Sequence, residues 1–186
     1  MMNNSVHPDA NDHVLCSGIT TDAVPFRHAI RSSNAQLLDF NQRRELTLFG
    51  LVGHLNFPGA VGIRFTKIAD EILGGGGVAA INGGVIAAGF DAACVLAALM
   101  QFETKTVVTL TLQIHYLRLA KQSGSLEFQA WVTKSAHHIC FVQAALVDPN
   151  VTPVRSFATA TSTLAPIWTK ARHSNVNTSS ARKAEN

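Results

Sequence analysis

The chain has 186 residues, 47% of them apolar, which suits one domain with a sizeable core and leaves two full domains cramped. Its formal charge is +3, but Lys170, Arg172, Arg182 and Lys183 against Glu185, all beyond Pro166, account for the whole excess. The body is therefore neutral, which argues against a basic face for a nucleic-acid backbone.

Cys16, Cys94 and Cys140 are odd in number and far apart, with no CxxC spacing and no secretory leader before them, so a reducing, cytoplasmic setting is expected. Ile72 to Phe102 is long enough to span a bilayer. Asp91 in mid-run, the glycines Gly74–Gly77, Asn82 and the lack of a flanking basic cluster argue against a membrane span.

In chain order, residues 1–33 are polar and without periodicity and are expected to be a flexible lead-in. A short helix is expected over Asn34–Arg44. Leu46–Leu55 and Ala60–Ile68 are rich in β-favouring residues on either side of Asn56-Phe57-Pro58-Gly59, which predicts a hairpin. After Gly74–Gly77, Asn82 stands where an N-cap would, and a helix apolar nearly all round is predicted from Gly83 to Gln101. Four strands follow, over Thr106–Leu119, Ser125–Ser135, Ile139–Val147 and Val154–Leu164, with turns at Lys121-Gln122-Ser123-Gly124 and Asp148-Pro149-Asn150. In the first of them, alternation puts Val108, Leu110, Leu112, Ile114 and Tyr116 on one face and Thr109, Thr111, Gln113 and His115 on the other. The fold class is α+β, in the order β-β-α-β-β-β-β: one central helix wrapped by a six-stranded antiparallel sheet. The domain is expected over residues 34–165, followed by a disordered basic tail over 166–186.

Between Glu71 and Glu103 the only charged side chain is Asp91. A carboxylate buried there must be paired, hydrogen-bonded or neutralised, so Asp91 is either a satisfied acid that fixes the helix register or a group with a chemical task. Helical spacing sets Gly84, Ala87, Ala88, Cys94 and Ala98 on its side. Gly83 and Gly84 open the helix either as a place of tight packing where no Cβ fits, the reading the glycines alone favour, or as a source of unpaired N–H groups that suit an oxyanion or phosphate. Gly74–Gly77 lacks the Gly-Lys-Ser/Thr that a phosphate-cradling loop needs. His137 and His138, adjacent in a β-region, should diverge, and with His115 they give no metal site; Cys94 reads as a small core residue.

Asn82-Gly83-Gly84-Val85-Ile86-Ala87-Ala88-Gly89-Phe90-Asp91, followed by the stretch from Val107 to Arg118, resembles the hotdog-fold acyl-CoA thioesterases of the phenylacetic acid degradation (PaaI-like) group, over about Leu46 to Leu164. The resemblance implies hydrolysis of an acyl-CoA thioester to free acid and coenzyme A, with no cofactor beyond the coenzyme A of the substrate. It assigns Gly83 N–H to the oxyanion, Asp91 to the role of general base or nucleophile, and Thr109 to positioning the water. Asn82 stands where the family usually has a histidine, and Gly76 where some members have an asparagine. Gly84, Gly76, Arg118 and Lys121 are the implied substrate-binding positions, the two cations towards the phosphates of coenzyme A. A site shared across the interface of a homodimer or homotetramer is implied, with no nucleic-acid or membrane partner. Two other readings stay open: a hotdog protein that binds an acyl-CoA or acyl carrier without turnover, and a hydratase or dehydratase, of which Asn56-Phe57-Pro58-Gly59 is a faint echo.

Overall fold

The computed structural model describes residues 23–27, 30–56, 59–74, 79–121 and 125–168. In chain order the elements are α1 (Ile30–Asn41), α2 (Arg44–Leu48), β1 (Leu51–Asn56), β2 (Ala60–Phe65), a 3-10 turn (Asp70–Ile72), α3 (Gly83–Leu99), β3 (Val107–Tyr116), β4 (Glu127–Ser135), β5 (Cys140–Val147) and β6 (Ser156–Pro166). The six strands form one antiparallel sheet in the order β1-β2-β4-β5-β6-β3. That is the predicted architecture, with α3 packed on the sheet and β1 and β3 at its two edges.

Helix α3 is apolar on most sides because it is covered on most sides: Phe90, Ala93, Cys94, Leu96, Ala97 and Ala98 are fully buried. It lies close to the sheet at Gly89, where a Cβ would run into the Phe128 ring of β4. Phe128 also meets Phe90 edge-on at 5.2 Å and Phe65 at 5.7 Å, so one ring ties α3 to both β2 and β4.

Several boundaries differ from expectation. Residues 46–48, expected as strand, are the end of α2, because Leu46 is needed in the core and Gly50, at φ 62°, ends the helical turn in a left-handed conformation. The strand starts only after that turn, at Leu51. The lead-in was expected up to residue 33, yet within it Val24 N–H donates to Val132 C=O at 2.7 Å, Arg27 N–H to Met100 C=O at 3.2 Å, and Ser33 is fully buried. At the other end Pro166 closes β6, and Ile167 N–H donates to Thr106 C=O at 2.9 Å. The packed body is thus longer at both ends than the 34–165 expected; residues 1–22 and 169–186 lie outside the described residues. Among the described residues no helix is long and apolar enough to cross a membrane.

On the sheet face away from α3, a polar cluster surrounds Glu127. Its Oε1 accepts from Asn56 Nδ2 at 3.3 Å and Gln129 Nε2 at 3.2 Å, and its Oε2 lies 3.5 Å from His54 Nε2. Burial pushes the Glu127 carboxyl up, but the contacts to His54, Gln129 and Asn56 outweigh that and hold it below the ordinary 4.5.

Two predictions follow from this packing. Gly89→Ala gains helix propensity but overpacks against Phe128, so equilibrium denaturation should show a net loss of about 1–3 kcal/mol; a gain would contradict the close approach. Because the folded-state pKa of Glu127 is depressed, the stabilisation from its ionisation is present above the unfolded value and is lost as pH falls through the folded one. The urea midpoint should therefore fall more steeply from about pH 5 to about pH 3 in wild type than in Glu127→Gln, and equal slopes would refute the role given to the cluster.

Candidate active site

Asp91 projects from α3 on its least covered side, together with Ala87, Ala88 and Ala92, and is half-buried. Its Oδ1 accepts a hydrogen bond from Thr109 Oγ1 at 2.7 Å. Of the expected stripe, Gly84, Ala87 and Ala88 are at least partly exposed, whereas Cys94 and Ala98 are fully buried. Burial, followed by the nearby Asp91 charge, pushes the Cys94 thiol far up, against a smaller opposing effect of the Ser162 hydroxyl beside it, so Cys94 stays protonated as a core residue. Cys140, desolvated likewise, is pushed up to about 12. Both cysteines are free.

Strict alternation would have turned Thr109 away from Asp91. Strand β3 carries a bulge instead: Thr109 pairs with Leu164 and Thr111 with Thr163, so Leu110 is an extra residue. The bulge reverses the faces, so that Val107 and Thr109 before it and Leu112 and Ile114 after it all look towards the core. Val108 and Leu110, expected on the same face as Leu112, look outward, 38% and 56% exposed. Ser162 of β6 holds the irregularity by donating its hydroxyl to Thr111 C=O at 2.8 Å.

At the start of α3, Asn82 has the extended conformation of an N-cap, and its Oδ1 accepts Gly84 N–H at 2.8 Å. Gly84 N–H is thereby occupied within the chain, and Gly83, the first helical residue, is the glycine left to meet an oxyanion. Tyr116, at the far end of β3, lies over Gly83 and donates its hydroxyl to Gly83 C=O at 2.8 Å. The same corner forms an open hollow of about 400 Å³ lined by Gly83, Ile86, Tyr116, Leu117, Arg118 and Leu119. Arg118 thus lines the hollow at the start of α3. Lys121 is exposed on the adjoining strip, where it bridges to Ala80, and does not line the hollow. Gly76 lies outside the described residues.

Asp91 opens instead onto a separate cavity of about 130 Å³. Its other helical walls are Ala88, Ala92 and Val95, and Phe40, Arg43, Glu45, Leu46, Phe49 and Leu51 close it from α1, α2 and β1. None of these residues from the first two helices was singled out in the sequence, where only a weak helical signal marks the segment. Tyr116 stood there only in the alternation of its strand, with no role of its own.

The remaining candidates sit elsewhere. Asn56 is buried beside Glu127 on the opposite sheet face, so the Asn-Phe-Pro-Gly stretch begins away from Asp91; Phe57 and Pro58 lie outside the described residues. His137 and His138 do not diverge, because they occupy the β4–β5 turn and not a strand, and their rings meet at 4.3 Å. Among the described residues no three His, Cys, Asp or Glu side chains are grouped as a metal would require.

Residues 79–154 match the family model of the thioesterase superfamily. No curated protein matches the sequence. Among solved structures, a thioesterase family protein from Silicibacter pomeroyi superposes with a TM-score of 0.62 at 21% identity, covering 72% of this chain and 96% of its own. A putative thioesterase from Ralstonia eutropha, described as phenylacetic acid degradation-related, gives 0.54 at 23% identity, covering 64% and 87%. A variant of the phenylacetic acid degradation protein PaaI from Thermus thermophilus gives 0.53 at 19% identity, covering 66% and 97%. The segment that carries α3, Asp91 and strands β3 to β5 thus matches the model of the thioesterase superfamily, and the fold around it is the hotdog fold shared with these solved structures.

Proposed function

We propose that the protein hydrolyses an acyl-CoA thioester to the free acid and coenzyme A. The observation that carries this reading is the Thr109–Asp91 hydrogen bond at the mouth of an apolar cavity. It holds one carboxylate oxygen still and leaves Oδ2 to act on water or on the carbonyl carbon. With Asp91 as base, it takes a proton from water as the oxygen attacks the carbonyl carbon. The tetrahedral intermediate then collapses, the C–S bond breaks, and that proton passes to the departing thiolate.

The oxyanion needs a donor, and Gly83 N–H at the positive end of α3 suits it. Gly83 and Asp91 of one chain are eight residues apart on one helix, a rise of about 12 Å, so they cannot face the same carbonyl carbon. The reading therefore requires a second copy of the chain, with Gly83 from one protomer and Asp91 from its partner. Edge strand β3, with Val108 and Leu110 exposed, and the exposed Leu117 and Leu119 beside Gly83 are surfaces such a copy would cover. Arg118, which lines the hollow beside Gly83, is the cation this reading assigns to the phosphates of coenzyme A, with Lys121 exposed on the adjoining strip. Asn82 keeps the helix start in order through its cap and supplies no titrating group. Two buried free thiols fit a reducing, cytoplasmic setting.

Thiol release from a panel of acyl-CoAs tests the proposal. Asp91→Asn should lower kcat by about two to four orders of magnitude, and Thr109→Val by roughly tenfold or more through the lost hydrogen bond to a charged group. Gly83→Pro removes the N–H at a first helical position that tolerates proline, after a residue already extended at ψ 137°, whereas Gly83→Ala keeps it. The proline variant should lose about a hundredfold and the alanine variant little. Absence of thiol release from every thioester, or full activity in Asp91→Asn, would overturn the reading. Calorimetric binding without turnover would instead leave a carrier-type protein.

A further inference from the structure

The cavity beside Asp91 has a property that likeness to the thioesterase superfamily does not fix: its size. Its floor is set by side chains locked in the core, Phe40, Leu46 and Leu51, each less than a tenth exposed. Phe49 differs from them in being half-buried, held where α2 ends against the left-handed turn at Gly50. Arg43 packs its guanidinium 4.9 Å from the centre of the Phe40 ring, which keeps this charged rim residue stacked against the wall. The polar groups of the lining are Arg43, Glu45 and Asp91; the rest is aliphatic or aromatic.

An apolar cavity of about 150 Å³ in a protein core accommodates one benzene molecule, so the 130 Å³ here matches a group of about six carbons. We propose that this cavity receives the acyl group, restricts it to a compact group of about that size, and that Phe49 is the residue that sets the limit. The proposal rests on the reading that Asp91 acts on a thioester, and extends it to the class of acyl group accepted. Phe49 is a specificity-determining residue in this account and touches no reacting atom. Ala92, one residue after Asp91, lines the same cavity from α3, so a larger side chain there would narrow it.

The test compares kcat/KM for acetyl-, butanoyl-, hexanoyl-, octanoyl- and dodecanoyl-CoA. Wild type should rise to hexanoyl-CoA and fall by about tenfold or more at dodecanoyl-CoA, since a misfitting methylene costs on the order of tenfold. Phe49→Ala should raise the dodecanoyl-to-hexanoyl ratio by about tenfold, and Ala92→Phe should lower the hexanoyl-to-acetyl ratio by a similar factor. A wild type that treats dodecanoyl- and hexanoyl-CoA alike, or a Phe49→Ala protein with an unchanged ratio, overturns the proposal. Calorimetry on Asp91→Asn with the hexanoyl and dodecanoyl thioesters separates the two readings. Tighter binding of hexanoyl-CoA supports the cavity assignment even if no thioester is cleaved. Equal affinity, or binding of neither, refutes it whatever the turnover shows.

Discussion

A carboxylate on a helix that is otherwise apolar must have its charge satisfied locally, and in this chain the satisfying group is a hydroxyl from a strand whose alternation would have pointed it the wrong way. The Thr109–Asp91 hydrogen bond exists because Leu110 is an extra residue in β3. Without that bulge, either Thr109 would face solvent and Asp91 would lose its partner, or Leu112 and Ile114 would leave the core. The bulge is held by Ser162, whose hydroxyl occupies Thr111 C=O, a carbonyl at the interrupted ladder. A single irregularity thus couples the packing of the edge strand to the placement of the acid.

The rest of the molecule brings helix and strand together at that point. Gly89 lets α3 lie on Phe128, which fixes its height above the sheet, and Asn82 fixes where it begins. Tyr116 ties the other end of β3 to Gly83, so β3 grips α3 at two places, once through the acid and once through the helix start. The two short helices before β1 close the side of α3 that the sheet leaves uncovered, and the space they leave is the cavity onto which Asp91 opens. In the proposed reading, catalytic geometry and acyl capacity therefore come from different parts of the chain: the first from α3 and β3, the second largely from the segment before β1.

Much of this was legible in the sequence for identifiable reasons. The long apolar run after Asn82 and the alternation of the later segments gave the element order, because each depends on hydrophobic period alone. Asp91 stood out because charge is costly where the surrounding residues predict burial. The partnership with Thr109 came from the family resemblance and ran against the simple alternation; a bulge has no signature in the pattern of Val, Leu and Thr around it, and only strand pairing reveals it. The segment from Phe40 to Phe49 was illegible as a site because its side chains gain meaning from what they face across space. The end of α2 was missed for a local reason, since Leu46 and Leu48 favour helix and strand alike until the left-handed turn at Gly50 decides between them.

The central claim is that one thioester carbonyl is attacked through Asp91 of one protomer and stabilised by Gly83 of another. It is tested most directly by unfolding and refolding Asp91→Asn and Gly83→Pro chains together and measuring acyl-CoA hydrolysis. Each variant alone should be nearly inactive. In the equal mixture half of random dimers carry one chain of each kind, and each of those has one intact site, so about a quarter of wild-type activity should return. Activity no higher in the mixture than in the two inactive parents would contradict the shared site.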